Sequence, residues 1–192
     1  AREIKRAQRQ RSTIPKIAIA GYTNAGKSSL INAMTGAGVL VEDALFATLD
    51  PSTRKAKLAD GRNVVLTDTV GFVRHLPTQL VEAFKSTLEE VSGADLVLHV
   101  VDGSDPFPLK QIEAVNAVLA EVTRDSGEEM PPEIVVVNKI DDADPIVLAE
   151  LRHAFEKTGR TAVFVSALTG EGIDELEARI EQHLNSIDAH VT

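Results

Sequence analysis

Eight consecutive residues, Gly21-Tyr22-Thr23-Asn24-Ala25-Gly26-Lys27-Ser28, set two glycines, a lysine and a hydroxyl at the spacing G-x-x-x-x-G-K-[ST]. The chemistry this spacing serves is the cradling of a phosphate chain. Glycines let the backbone curl until its N–H groups face the phosphates, and a helix starting there adds partial positive charge. Lys27 would reach the β- and γ-phosphates, and the Ser28 hydroxyl would ligate Mg²⁺. Three more polar stretches stand downstream, Asp68-Thr69-Val70-Gly71, Asn138-Lys139-Ile140-Asp141 and Ser166-Ala167-Leu168.

These stretches need elements to position them. Short apolar, β-branched runs predict strands at 16–20, 55–58, 63–67, 96–101, 134–138 and 162–166. Their near-continuous apolar character suits strands buried on both faces. Helical spacing predicts helices at 27–34, 79–91, 110–123, 145–158 and 173–185. Asp60-Gly61 is a hairpin signal, so the second and third strands should be antiparallel. Elsewhere strand and helix alternate, which implies a doubly wound α/β fold. That is a three-layer, six-stranded, mostly parallel sheet with one antiparallel strand and helices on both faces. In such sheets ligands bind beyond the carboxyl ends of the strands. All four polar stretches come at strand ends, so they should converge on one edge. The stretch 35–50 is long for an α/β connection, and such loops are often functional.

In order, the four stretches resemble the G1, G3, G4 and G5 motifs of translation-factor-related P-loop GTPases. The chemistry of each type fits. Asp68 would hold Mg²⁺, through a water. Gly71 leaves room for its N–H to approach the γ-phosphate. The Asp141 carboxylate can accept hydrogen bonds from guanine N1–H and the 2-amino group, a donor pair that adenine lacks. The resemblance further implies that Asn138 supports base and loop, that the Lys139 stem stacks over the base, and that the Ala167 N–H reaches guanine O6. The nucleotide set is then Gly21, Asn24, Ala25, Gly26, Lys27, Ser28, Ser29, Asn138, Lys139, Asp141, Ser166, Ala167 and Leu168. A G2 threonine is required for Mg²⁺ and γ-phosphate. Thr48 and Thr53 are the candidates, and Thr48 is favoured because it lies inside the loop. The metal set is Ser28, Thr48 and Asp68. Lys27, Thr48, Gly71 and Asn24 are the expected catalytic group. In several related GTPases an asparagine at the position of Asn24 helps bind K⁺, which adds K⁺ to GTP/GDP and Mg²⁺.

A narrower resemblance rests on GYTNAGKS at 21–28, LFATLDP at 45–51, DTVGF at 68–72, HLPTQLVEAFKSTL at 75–88 and LHVVD at 98–102. Together these resemble the HflX family of ribosome-associated GTPases. The resemblance implies a GTPase domain at 16–187, the end of a preceding helical segment at 1–15 and a short tail at 188–192. It implies GTP hydrolysis, binding at the large ribosomal subunit, and ribosome splitting or rescue in the full-length family member. Phe72 stands where many GTPases place a water-orienting glutamine, so unaided turnover should be slow. That leaves a GTP-dependent binding module with negligible hydrolysis as the alternative. An ATP-using P-loop enzyme is a further reading, and Asn138-Lys139-Ile140-Asp141 speaks against it. Arg74 and His75 lie close to Phe72 and are expected to be switch residues. His99 reads as a core histidine, Asp102 as a turn cap, and of the acidic residues at 141–144 only Asp141 has an assigned role.

Composition is that of an ordinary globular domain, with 192 residues, 43% apolar and 26% charged. The absence of cysteine removes disulfides and thiolate metal sites and fits a cytoplasmic protein. No apolar run approaches a membrane span. A monomer is expected. The net charge of -9 is uneven: residues 1–11 hold five basic side chains against Glu3, leaving an acidic body that is a poor general nucleic-acid surface.

Overall fold

The computed structural model describes residues 14–22, 24–35, 52–68, 91, 93–127 and 129–189. In chain order the described elements are β1 (Lys16–Gly21), α1 (Lys27–Thr35), β2 (Ser52–Lys57), β3 (Asn63–Asp68), β4 (Leu96–Asp102), α2 (Pro108–Ser126), β5 (Glu133–Asn138), α3 (Pro145–Thr158), β6 (Ala162–Phe164) and α4 (Ile173–Ala189). The strands form one sheet in the order β2-β3-β1-β4-β5-β6. The β2–β3 pair is antiparallel and every other neighbouring pair is parallel.

β1 sits inside the sheet, and its alternation builds both faces. Ile17 and Ile19 point to one side, where Leu30, Ile31 and Met34 of α1 and Ile173, Leu176, Ile180 and Leu184 of α4 pack. Ala18 and Ala20 point to the other, against Val115 and Leu119 of α2. Further along that second side, Val101, Val135 and Val137 meet Ile112 of α2 and Leu151 and Phe155 of α3. Helices therefore cover both faces, as the continuous apolar strands require. Each fully buried aliphatic contributes about 1.5–3 kcal/mol over leaving it exposed. Leu176→Ala is thus a change the α4 layer should feel strongly.

Several boundaries differ from the sequence expectation: β6 ends at Phe164 and not at 166, and α2 starts at Pro108 and not at 110. β2 begins at Ser52, because Ser52, Thr53 and Arg54 pair with Asp68, Thr67 and Leu66. An exposed edge strand tolerates such polar residues, so no apolar pattern announces it. α2 runs to Ser126 and closes on Gly127 in the left-handed conformation. α4 continues to Ala189. Among the described residues no helix is long and apolar enough to cross a membrane.

The β2–β3 turn reaches α4. The Asp60 N–H donates to Glu181 Oε1 at 3.1 Å, and Arg62 donates to Asn185 Oδ1 at 2.6 Å. On β4, His99 is buried as expected, with Nδ1 3.5 Å from Glu133 Oε2. Burial opposes ionisation of Glu133, but His99 and Arg160, which pairs with it, outweigh that and hold its pKa below the usual value.

Candidate functional site

The strand order changes direction at β1, whose neighbours β3 and β4 lie on opposite sides. A crevice beyond the carboxyl ends opens there, and the glycine loop leaves β1 into it. Gly21 ends the strand, where an added Cβ would strike the Val100 carbonyl oxygen of β4. The Ala25 N–H then donates to Tyr22 O at 3.1 Å, and Asn24 and Gly26 hold φ of 66° and 93°. Gly26 has a second constraint: a Cβ there would run into Asn138 Nδ2. The first helical bond of α1 runs from Leu30 N to Gly26 O at 2.9 Å. The N–H groups of Lys27, Ser28 and Ser29 precede it and are left for an anion.

Asp68 ends β3 and lies opposite Ile19 of β1, which brings a buried carboxylate to the same crevice. Burial pulls the Lys27 pKa below its ordinary value, and the Asp68 carboxylate offsets part of that. Ser28 and Asp68 thus offer a hydroxyl and a carboxylate oxygen, hard donors that suit Mg²⁺. Among the described residues no three His, Cys, Asp or Glu side chains come together as a cage. A Mg²⁺ ion here would complete its shell with phosphate oxygens and water, as that ion commonly does.

The other half of the crevice is built on Asn138, the buried last residue of β5. Its Nδ2 donates to Ala25 O at 3.1 Å, and its Oδ1 accepts from the Ala167 N–H at 2.9 Å. One side chain therefore ties the glycine loop to the 166–168 turn. The Ala167 N–H, expected at guanine O6, is engaged with Asn138 here. Lys139 adopts φ 61°, which swings the chain into a 3-10 turn over Ile140–Asp142. Its ammonium donates to Asn24 O at 2.6 Å and lies 3.2 Å from Asp102 Oδ2. Asp141 is exposed, with Oδ1 accepting from the buried Ser166 Oγ at 2.6 Å. Ser166 is in turn held by the Thr169 N–H at 3.1 Å, so the carboxylate has a fixed orientation and free acceptor capacity. Leu168 is exposed beside it.

Of the expected site residues, Gly21, Asn24, Ala25, Gly26, Lys27, Ser28, Ser29, Asp68, Asn138, Lys139, Asp141, Ser166, Ala167 and Leu168 all stand at this edge of the sheet. Thr48, Gly71, Phe72, Arg74 and His75 lie outside the described residues. Thr53 is an exposed strand residue opposite Thr67. Asp144 has a local task, capping α3 by accepting from the Ile146 N–H at 2.8 Å. Asp102 does cap the following turn, but it also holds Lys139. The signal for that second contact is the register of two adjacent parallel strands, which sets Asp102 opposite Asn138.

Residues 16–139 match the family described as 50S ribosome-binding GTPase. The chain is 48% identical over 186 residues to the GTPase HflX of Lacrimispora saccharolytica, covering 96% of this chain and 42% of that protein. It is 49% identical over 183 residues to the GTPase HflX of Caldanaerobacter subterraneus, covering 95% and 40%. It therefore spans about two fifths of the length of these relatives. A crystal structure of a GTP-binding protein from the hyperthermophilic archaeon Sulfolobus solfataricus in complex with GDP superposes with a TM-score of 0.69 and 30% identity, over 97% of this chain and 57% of that one.

Proposed function

This chain belongs to the 50S ribosome-binding GTPase family, within it to the HflX-type GTPase domains, and from that premise we propose that it binds GTP with Mg²⁺ and hydrolyses it to GDP and phosphate as a switch acting at the large ribosomal subunit. The observation that carries the guanine reading is the double use of Asn138. Its amide joins the phosphate loop at Ala25 to the base turn at Ala167, so phosphate and base are recognised by one connected frame. Asp141, oriented by Ser166, supplies acceptors for the guanine N1–H and 2-amino group. A nucleotide lacking those donors leaves the carboxylate unpaired, which discriminates strongly.

Lys27 neutralises the β- and γ-phosphates; burial holds its pKa below the ordinary value, and the Asp68 carboxylate offsets part of that. Ser28 and Asp68 would hold Mg²⁺, with Thr48 as the third protein ligand. When bound, that ion would supply charge neutralisation for phosphoryl transfer. Thr48 and Gly71 would contact the γ-phosphate of GTP and lose that contact after hydrolysis, which is the switch. Phe72 cannot orient water, so unaided turnover is slow. The Asn24 carbonyl is taken by Lys139, which leaves its side-chain oxygen as the group for a K⁺ ion. The protein works in the cytoplasm as a monomer, in the splitting or rescue of ribosomes.

The test is phosphate release from GTP, with ATP as competitor, with and without large ribosomal subunits. GTP-selective release that rises with subunits is expected. Binding without release in both conditions would replace the switch with a GTP-dependent binding module.

A further inference from the structure

Among the described residues, two that are not glycine adopt left-handed backbone, Asn24 at φ 66° and Lys139 at φ 61°. Such residues are held there by their surroundings, at a cost in backbone strain. One bond joins them, from the Lys139 ammonium to the Asn24 carbonyl oxygen at 2.6 Å. That carbonyl is neutral, and the lysine stem has many rotamers. The charged partner is Asp102, whose Oδ2 lies 3.2 Å from the same ammonium. Its other oxygen, Oδ1, accepts from the Ser104 N–H at 2.9 Å and the Ser104 hydroxyl at 2.5 Å. The carboxylate is thereby fixed at both ends. Its backbone is fixed as well, since Asp102 lies opposite Asn138 in the β4–β5 ladder and the Gly103 N–H donates to Asn138 O at 2.8 Å.

We propose that Asp102 is a positioning residue for nucleotide retention: it parks the Lys139 ammonium on the Asn24 carbonyl and so locks the phosphate loop to the base turn. The proposal rests on the guanine-nucleotide reading of this crevice. Asp102 itself touches neither phosphate nor base. Without its charge, Lys139 keeps only a neutral anchor, and both left-handed segments lose their shared restraint. The expected consequence is faster release of GDP, with little change in the fold.

The experiment measures dissociation of ribose-labelled fluorescent GDP from this chain at low salt. Asp102→Asn keeps an acceptor for Ser104 and removes the charge, and should speed release about tenfold, the scale of one charge-assisted bond in a half-exposed site. The factor should shrink toward one in about 1 M salt, because a half-exposed pair is screened and a purely structural defect is not. Ser104→Ala, which removes one bond to Asp102 Oδ1 but keeps the Ser104 N–H bond and the Asp102 charge, should stay within about twofold of wild type. In a Lys139→Met background, Asp102→Asn should add nothing, because its effect passes through Lys139. Asp102→Glu should restore slow release to within about threefold. An Asp102→Asn factor that persists in the Lys139→Met background, or that is unchanged by salt, overturns the proposal. So does wild-type release in Asp102→Asn. If the unmutated chain binds no labelled GDP, the nucleotide reading falls as well; normal binding with unaltered release defeats the Asp102 role alone.

Discussion

Replacing Asn138 by alanine deletes the side chain that joins the two halves of the crevice. The bonds lost are 3.1 Å to the Ala25 carbonyl and 2.9 Å from the Ala167 N–H. Ala25 is 1% exposed, so its carbonyl is left unpaired away from water and incurs most of the desolvation penalty. Ala167 is half-buried, and its N–H recovers part of its bond from solvent. At about 1 kcal/mol net for a neutral hydrogen bond and about 1–3 kcal/mol for a buried orphan, the loss is roughly 3 kcal/mol. In a chain of this size that lowers Tm by about 6–12 °C. The assay is thermal unfolding followed by far-ultraviolet circular dichroism, first without nucleotide and then with saturating GDP and Mg²⁺. Wild type should gain Tm on adding nucleotide, and the variant should lose most of that gain, because binding stabilises only a folded, competent site. Asn138→Asp keeps the acceptor for Ala167 but sets a carboxylate against the Ala25 carbonyl, and should be at least as damaging. A nucleotide-free Tm within about 2 °C of wild type, with an undiminished nucleotide response, would refute the bridging role of Asn138.

Asp141→Asn should shift preference from GTP toward xanthosine triphosphate, whose ring donates from N3 and carries an oxygen where guanine has its amine; retained GTP selectivity in a competition assay speaks against Asp141 as the base reader. Lys27→Met should abolish GDP binding while raising the Tm of the nucleotide-free protein, because burial disfavours the ammonium there. With the folded pKa below the unfolded value, the native state is penalised at neutral pH and the penalty fades as pH climbs through the folded pKa toward the ordinary value of 10.5. The Tm advantage of Lys27→Met should therefore shrink over that alkaline window, and an advantage constant with pH would point to packing instead. Single-turnover hydrolysis should be faster in KCl than in NaCl at equal ionic strength, and the difference should vanish in Asn24→Ala; equal rates in the two salts remove K⁺ from the mechanism.

The sheet and the two ends of the crevice are legible in the sequence because each is written locally. Continuous apolar runs such as 96–101 and 134–138 belong to strands buried on both faces, and the glycine loop and Asn138–Asp141 stand where those strands stop. The edge strand is longer than its apolar residues suggest, because Ser52, Thr53 and Arg54 need only the mainchain ladder and no apolar pattern. α2 outruns its expected end because its last turn, Arg124-Asp125-Ser126, is polar, whereas α4 continues through Ile187, which keeps the apolar spacing and packs on the core. The helical state of a polar last turn is set by the cap beyond it, a left-handed Gly127 in the case of α2. The contact of Asp102 with Lys139 is not legible from either motif alone. It depends on strand order and register, which are properties of the assembled sheet. The orientation of Asp141 by Ser166 is of the same kind, since those residues are brought together by the β5 and β6 ends and lie 25 positions apart.

The hairpin tip that touches α4 has a consequence for how the chain is made. Asp60 and Glu181 are 121 positions apart, and Arg62 and Asn185 are 123 apart. A polypeptide emerging from its N-terminus presents β1, the glycine loop and the β2–β3 hairpin long before their partner helix exists. During that interval the face of Ile17, Ile19, Val64 and Leu66 has α1 to pack on but lacks α4, its second helix, and the hairpin tip has nothing to dock on. Closing so long a contact belongs to the slow, late part of folding. The phosphate-binding end thus takes shape first, and the seventeen-residue helix α4 seals it. A chain cut short before Glu181 should leave the hairpin unanchored and the nascent sheet exposed to aggregation.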